Sequence, residues 1–182
     1  MRTVISRPSF LARSHSFLLV CVMIFTMLAS PLTVSAQTIS GKGDAFMDFY
    51  SKFMRELKEQ RTHLKSLRSK YQQVNDITLL QAADQLIEIN QEIIQLAETI
   101  QDLFFLWILC NCQNPNAKRF IYERMIDLRT YSSKQLERIQ DVEESLIRYG
   151  FQNILIFDDV KRLQGKVQTL IRAIDINNSN FR

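Results

Sequence analysis

Leu103-Phe104-Phe105-Leu106-Trp107-Ile108-Leu109-Cys110 is an unbroken apolar run that closes a long amphipathic pattern. A helix built from it has no face to give to water. Such a run covers about 12 Å of helix, far short of the ~20 residues of a membrane span. Asp102 stands before it and Asn111 after it. It therefore reads as a helix end that something else must cover. Each large side chain in it gains about 1.5–3 kcal/mol on burial, as an upper bound.

Upstream of the run the apolar residues recur in alternating steps of three and four: Leu79, Ala82, Leu86, Ile89, Ile93, Leu96, Ile100, Leu103, Trp107, Cys110. That is a heptad-like seam along one helix. Three more seams follow the same rule. The first is Phe46, Tyr50, Phe53, Leu57, Gln60, Leu64, Leu67, Tyr71, Val74. The third is Ile121, Met125, Leu128, Ser132, Gln135, Ile139, Val142, Leu146, Tyr149, and the fourth is Ile156, Val160, Leu163, Val167, Leu170, Ile174. No window alternates with period two, so strands are not expected.

The breaks between seams carry helix-ending chemistry. Asn75-Asp76 can close one helix and cap the next, with Thr78 and Gln81 as an alternative capping box. Asn114-Pro115 offers a cap followed by a proline at the first helical position. Gly150 suits the position just past a helix end, and Asn153 can cap the last helix. Short connections favour antiparallel neighbours. The expected fold is all-α: an antiparallel up-down four-helix bundle with coiled-coil-like seams over residues 44–176. A flexible segment at 37–43 precedes it, and a polar tail at 177–182 follows.

Residues 1–16 carry Arg2, Arg7 and Arg13 and no acid; residues 17–29 are an apolar core; Val34-Ser35-Ala36 supplies small residues for cleavage. This order is that of a secretory signal peptide over residues 1–36, with an uncleaved anchor as the alternative. The expected localisation is exported, periplasmic or extracellular. Removing this segment takes three basic residues from the 23 basic and 19 acidic of the whole chain, leaving net +1. The basicity belongs largely to the targeting segment, which argues against a nucleic-acid binder. Residues 42–74 are net +4 and residues 76–110 net −6. Opposed charge favours pairing of the first two helices.

In an up-down bundle the start of helix one, the end of helix two and the start of helix three share one pole. Phe46, Phe49, Phe53, Phe105, Trp107, Ile108, Leu109 and Phe120 gather there and form the candidate partner or ligand surface. Helical geometry turns Leu103 and Trp107 toward the seam and Phe105, Ile108 and Leu109 away from it. The residues turned away must be covered by the chain itself, by a protein partner or second copy, or by a membrane surface or small apolar ligand.

Cys110 and Cys112 remain after export. A tight i to i+2 disulfide, an intermolecular link and free thiols all fit. Redox catalysis is not expected, because the Cys-x-x-Cys spacing is missing. His63 is the sole histidine after residue 36, so neither a zinc site nor a di-iron carboxylate site is expected, and no cofactor is implied. Serine-nucleophile and phosphate-loop signatures are missing as well, and the chain is read as non-enzymatic. Gln60, His63, Ser132 and Gln135 interrupt or flank the seams at mid-height, level with Gly165. They read as one polar layer that sets register. A small polar pocket where Gly165 leaves space is the sharper alternative.

Overall fold

The computed structural model describes residues 40–109, 114–152 and 154–181, with side chains over 47–107, 114–152 and 154–178. Four helices make up the described chain: α1 (Ser40–Gln73), α2 (Ile77–Leu109), α3 (Pro115–Arg148) and α4 (Leu155–Phe181). No strand occurs among the described residues. Helix number, order and type match the periodicity. The helices are longer than the seams imply: α1 begins inside the segment expected to be flexible, and α4 runs through the expected tail. Once a helix is nucleated, each added residue gains a backbone hydrogen bond, so a helix outlasts its buried stripe. At the other end of α1 the seam overshoots. Val74 lies past the helix end and is exposed.

The connections follow from backbone chemistry. At the end of α1, Asn75 takes a left-handed conformation (φ 54°), Asn75 N–H donates to Gln72 O and Asp76 N–H to Tyr71 O. That is a Schellman closure with asparagine in the glycine position. Asp76 then turns round and caps α2, its Oδ1 accepting from Leu79 N–H at 3.0 Å. Asn114 caps α3 by accepting from Asn116 and Ala117 N–H, with Pro115 opening the helix. Gly150 (φ 80°) closes α3 in the same Schellman manner, with Phe151 N–H reaching Leu146 O at 2.8 Å. Asn153, the expected cap of α4, lies outside the described residues.

Cross-helix pairs define directions. Met47 meets Gln101 and Leu57 meets Asn90, so α1 and α2 run oppositely. Gln135 meets Glu92 and Arg138 meets Glu88 between α2 and α3. Arg129 meets Asp175 and Lys161 meets Glu143 between α3 and α4. Lys166 meets Glu56 and Asp159 meets Gln60 between α4 and α1.

The cross-section is a diamond rather than a square. Backbones of α2 and α4 approach within 8 Å across the diagonal, whereas those of α1 and α3 do not among the described residues. Consequently α2 is covered on three sides. Leu86, Ile93 and Ile100 lie along its expected seam, and a second stripe of Ala83, Asn90 and Ala97 is also buried. Asn90 donates to Leu57 O at 3.2 Å, which places that stripe against α1. The core is one cluster running the length of the bundle, with Leu57, Leu64, Met125, Ile139, Leu163 and Val167 fully enclosed.

The charge-based pairing of α1 with α2 is carried by less than expected. Arg68–Asp84 is the ion pair between them among the described residues. Glu88 and Glu92 turn instead to Arg138 on α3, and Glu56 of α1 turns to Lys166 on α4. Diffuse charge on a helix surface does not choose a single neighbour.

No described helix is long and apolar enough to cross a membrane.

Candidate functional site

Two regions carry the side chains singled out from the sequence: the aromatic pole and the mid-height polar residues. At the pole, Phe53, Leu103, Ile121, Met125 and Ile174 fill the seam. Trp107 is half-buried and packs against this core. Phe49 stacks on Phe53 with ring centroids 6.0 Å apart but stays exposed itself. Phe105, Leu106 and Phe120 also remain exposed, Phe120 at 57 %. The α2–α3 pairs put Leu106 level with Phe120, while Phe49 sits about 10 Å further down α1. The described helices thus leave part of the decisive apolar stretch uncovered. The side chains of Phe46, Ile108 and Leu109 lie outside those described, as do Cys110 and Cys112 and the signal-peptide segment.

At mid-height the expected single layer does not form. Because α1 and α3 stand at opposite corners of the diamond, Gln60 and His63 cannot meet Ser132 and Gln135. Two separate networks replace it. On the α2–α3 face, Glu92 accepts from Gln135 Nε2 (2.6 Å), Arg138 Nη1 (2.8 Å) and Tyr131 Oη (3.3 Å). Arg138 also donates to Gln135 Oε1. Ser132 takes no part and donates to Leu128 O in its own helix. Burial, then the neighbouring Glu92 charge, pushes the Tyr131 hydroxyl above its ordinary range.

The second network joins α1 to α4 through a residue the periodicity did not flag. Asp159 is buried among Ile156, Val160 and Leu163. Its Oδ2 lies 2.9 Å from Nδ1 of His63, and Gln60 Nε2 donates to its backbone carbonyl (2.8 Å) and to Oδ1 (3.4 Å). Asp159 sits three residues after Ile156 and next to Val160, so a wider stripe on α4 would have included it. The rule that carboxylates stay outside concealed it.

Above this pair opens a cleft of about 760 Å³ between α1 and α4. α1 contributes Glu56, Glu59, Gln60 and His63 at i, i+3, i+4 and i+7; α4 contributes Lys161, Arg162, Gly165, Lys166 and Thr169. Gly165 borders it, and a Cβ added there would meet nothing within 4 Å. Lys166 pairs with Glu56 and lies over the Phe53 ring, 5.4 Å from its centroid. That hydrogen bond holds the Glu56 carboxyl below its ordinary range. Lys161 pairs with Glu143 to the same effect on that carboxyl. Glu59 is 3.9 Å from Arg55, a pair exposed on both sides. Arg162 has no ion-pair partner among the described residues. No group of three metal-ligating side chains occurs among the described residues.

Compared with known proteins, the chain matches no family model, no curated protein and no solved structure. What it does must be read from its own residues.

Proposed function

We infer that this chain is an exported, non-enzymatic interaction protein: an up-down helical rod with coiled-coil-like seams that docks its aromatic pole on another protein. The observation that carries this reading is the division of labour at the pole. Phe53, Leu103, Ile121, Met125 and Ile174 occupy the space between the helices, while Phe105, Leu106 and Phe120 stand outside. A carrier of apolar ligands needs that inner space open. A docking protein needs it filled, with aromatic residues outside to anchor a partner. A second copy of this chain is one such partner. The cell envelope or the extracellular space is the compartment implied by the N-terminal pattern of Arg2, Arg7 and Arg13 before the apolar residues 17–29. A periplasmic part of a secretion or conjugation apparatus suits a rod of this kind, on fold-level analogy.

The test is site-specific photo-crosslinking in the native cell with a reactive residue at position 120, and at position 134 on the same helix as control. A discrete adduct from 120, lost when Phe105→Ser is added while the thermal melt is retained, supports the reading. Equal, diffuse labelling from both positions overturns it. Export is checked by fractionation and N-terminal sequencing. A mature start at Gln37 is expected, and a cytoplasmic protein retaining Met1 overturns export.

A further inference from the structure

The α1–α4 cleft lies at mid-height, away from the pole, and docking at the pole makes no use of it. We propose that it binds a small oxyanionic ligand, a carboxylate or a phosphate ester, between the Arg162 guanidinium and Nε2 of His63.

Four observations converge on this. The first is Gly165. A glycine inside an exposed helix costs about 1 kcal/mol relative to alanine. Packing does not require it here, because its missing Cβ would point into open space. What the glycine does is keep one wall of the cleft free of side chain.

The second is Asp159. Burying a carboxylate to 1 % exposure is costly, and an apolar residue of similar size often serves stability as well or better. Asp159 instead engages Nδ1 of His63 at 2.9 Å while Gln60 braces it from the same helix as His63. The imidazole is thereby oriented, and Nε2, on the far side of the ring, is left for the cleft. A hydrogen-bonded carboxylate behind a histidine is a general way to hold the ring and its proton in a working orientation. With both ring nitrogens protonated, Nδ1–H donates to Asp159 and Nε2–H is the donor left for the guest.

The third is the donor inventory. Lys161 and Lys166 are engaged by Glu143 and Glu56, and Gln60 is engaged by Asp159. Arg162 keeps its whole planar fork, whose geometry suits the two oxygens of a carboxylate or phosphate. Lys161 and Lys166 line the cleft too, but Glu143 and Glu56 balance their charges, so Arg162 is the lining cation with no ion-pair partner among the described residues.

The fourth is what the site lacks for reaction. The lining hydroxyl, Thr169 Oγ1, donates to Gly165 O at 2.8 Å in its own helix. With no free hydroxyl or thiol in the lining, the arrangement suits binding. The volume of about 760 Å³ is within the range of small-molecule sites.

The experiment is a titration of the exported chain, from Gln37, with sodium phosphate and, separately, sodium succinate, at pH about 5.5, below the ordinary histidine range. Sodium chloride at matched ionic strength is the control. The readout is the imidazole of His63, the sole histidine after residue 36, by NMR. A saturable change at His63 is expected in the millimolar range, absent with chloride. It should weaken at least tenfold in Arg162→Gln and in Gly165→Leu, two surface changes that do not lower the melt. Saturation by one probe alone assigns the ligand class to that chemistry. An equal response to chloride overturns the proposal, as does unchanged binding in both variants. Neither variant touches the pole, so this result stands or falls independently of the crosslinking at position 120.

Discussion

Nδ1 of His63 on α1 lies 2.9 Å from Oδ2 of Asp159 on α4, a carboxylate enclosed by the bundle core. Together with the Gln60 hydrogen bonds, this ties two helices whose backbones otherwise approach each other sparingly. Asp159→Ala removes the acceptor and leaves a cavity, and is expected to lower the unfolding free energy by about 1–3 kcal/mol. His63 is half-exposed, so His63→Ala alone should cost less. Urea unfolding of the two single variants and the double variant checks the coupling. A coupling near 1 kcal/mol is expected, and additivity within about 0.3 kcal/mol would show that the pair does not bind the helices together.

The glycines that face each other in kind but not in role give a second prediction. Gly165→Ala should raise stability by about 1 kcal/mol, since the new methyl meets nothing and the helix gains propensity. Gly150→Ala should lower it by about 1–2 kcal/mol. Space is free there too, but φ is 80°, a conformation that a Cβ strains. Thermal melts of both variants should move in opposite directions.

Ala97 belongs to the buried stripe that α2 turns to α1. Ala97→Leu should therefore destabilise by about 1–3 kcal/mol through overpacking, although leucine is the larger hydrophobe. A stabilised variant would mean that the stripe faces space rather than a helix. Chemical denaturation with an unchanged slope is the check.

Tyr50 supplies a pH prediction. Burial first, then the charges of Glu98 and Asp102, push its hydroxyl well above the ordinary value of about 10. A group raised in the folded state stabilises fully below its unfolded value. That contribution is lost as pH rises, because the unfolded chain releases its proton first. The melting temperature should fall as pH climbs through 10, and Tyr50→Phe should make that fall shallower. An identical alkaline slope in the variant would remove Tyr50 from the explanation.

Much of the architecture was legible because periodicity reports burial directly. Positions such as Leu57, Leu86, Met125 and Leu163 carry an apolar residue at each turn of one stripe, and each is enclosed. Asn114, Asn75 with Asp76, and Gly150 mark the breaks by chemistry that acts within a few residues. The candidate site was legible only in pieces. His63, Gln60 and Gly165 stood out as breaks in the pattern, but Asp159 and Arg162 look like ordinary surface charges when read along one helix.

The order of alternating apolar and polar turns along this chain was enough to determine four helices, their approximate ends and the residues each turns inward, since those properties depend on neighbours within one or two turns. Which polar residues meet was decided only in three dimensions. The diamond cross-section separates α1 from α3, splits one expected layer into two networks, and brings a carboxylate from near the start of α4 under a histidine from the middle of α1. Helix rotation and lateral offset depend on the summed fit of every side chain at every contact. No single stretch of sequence carries that sum.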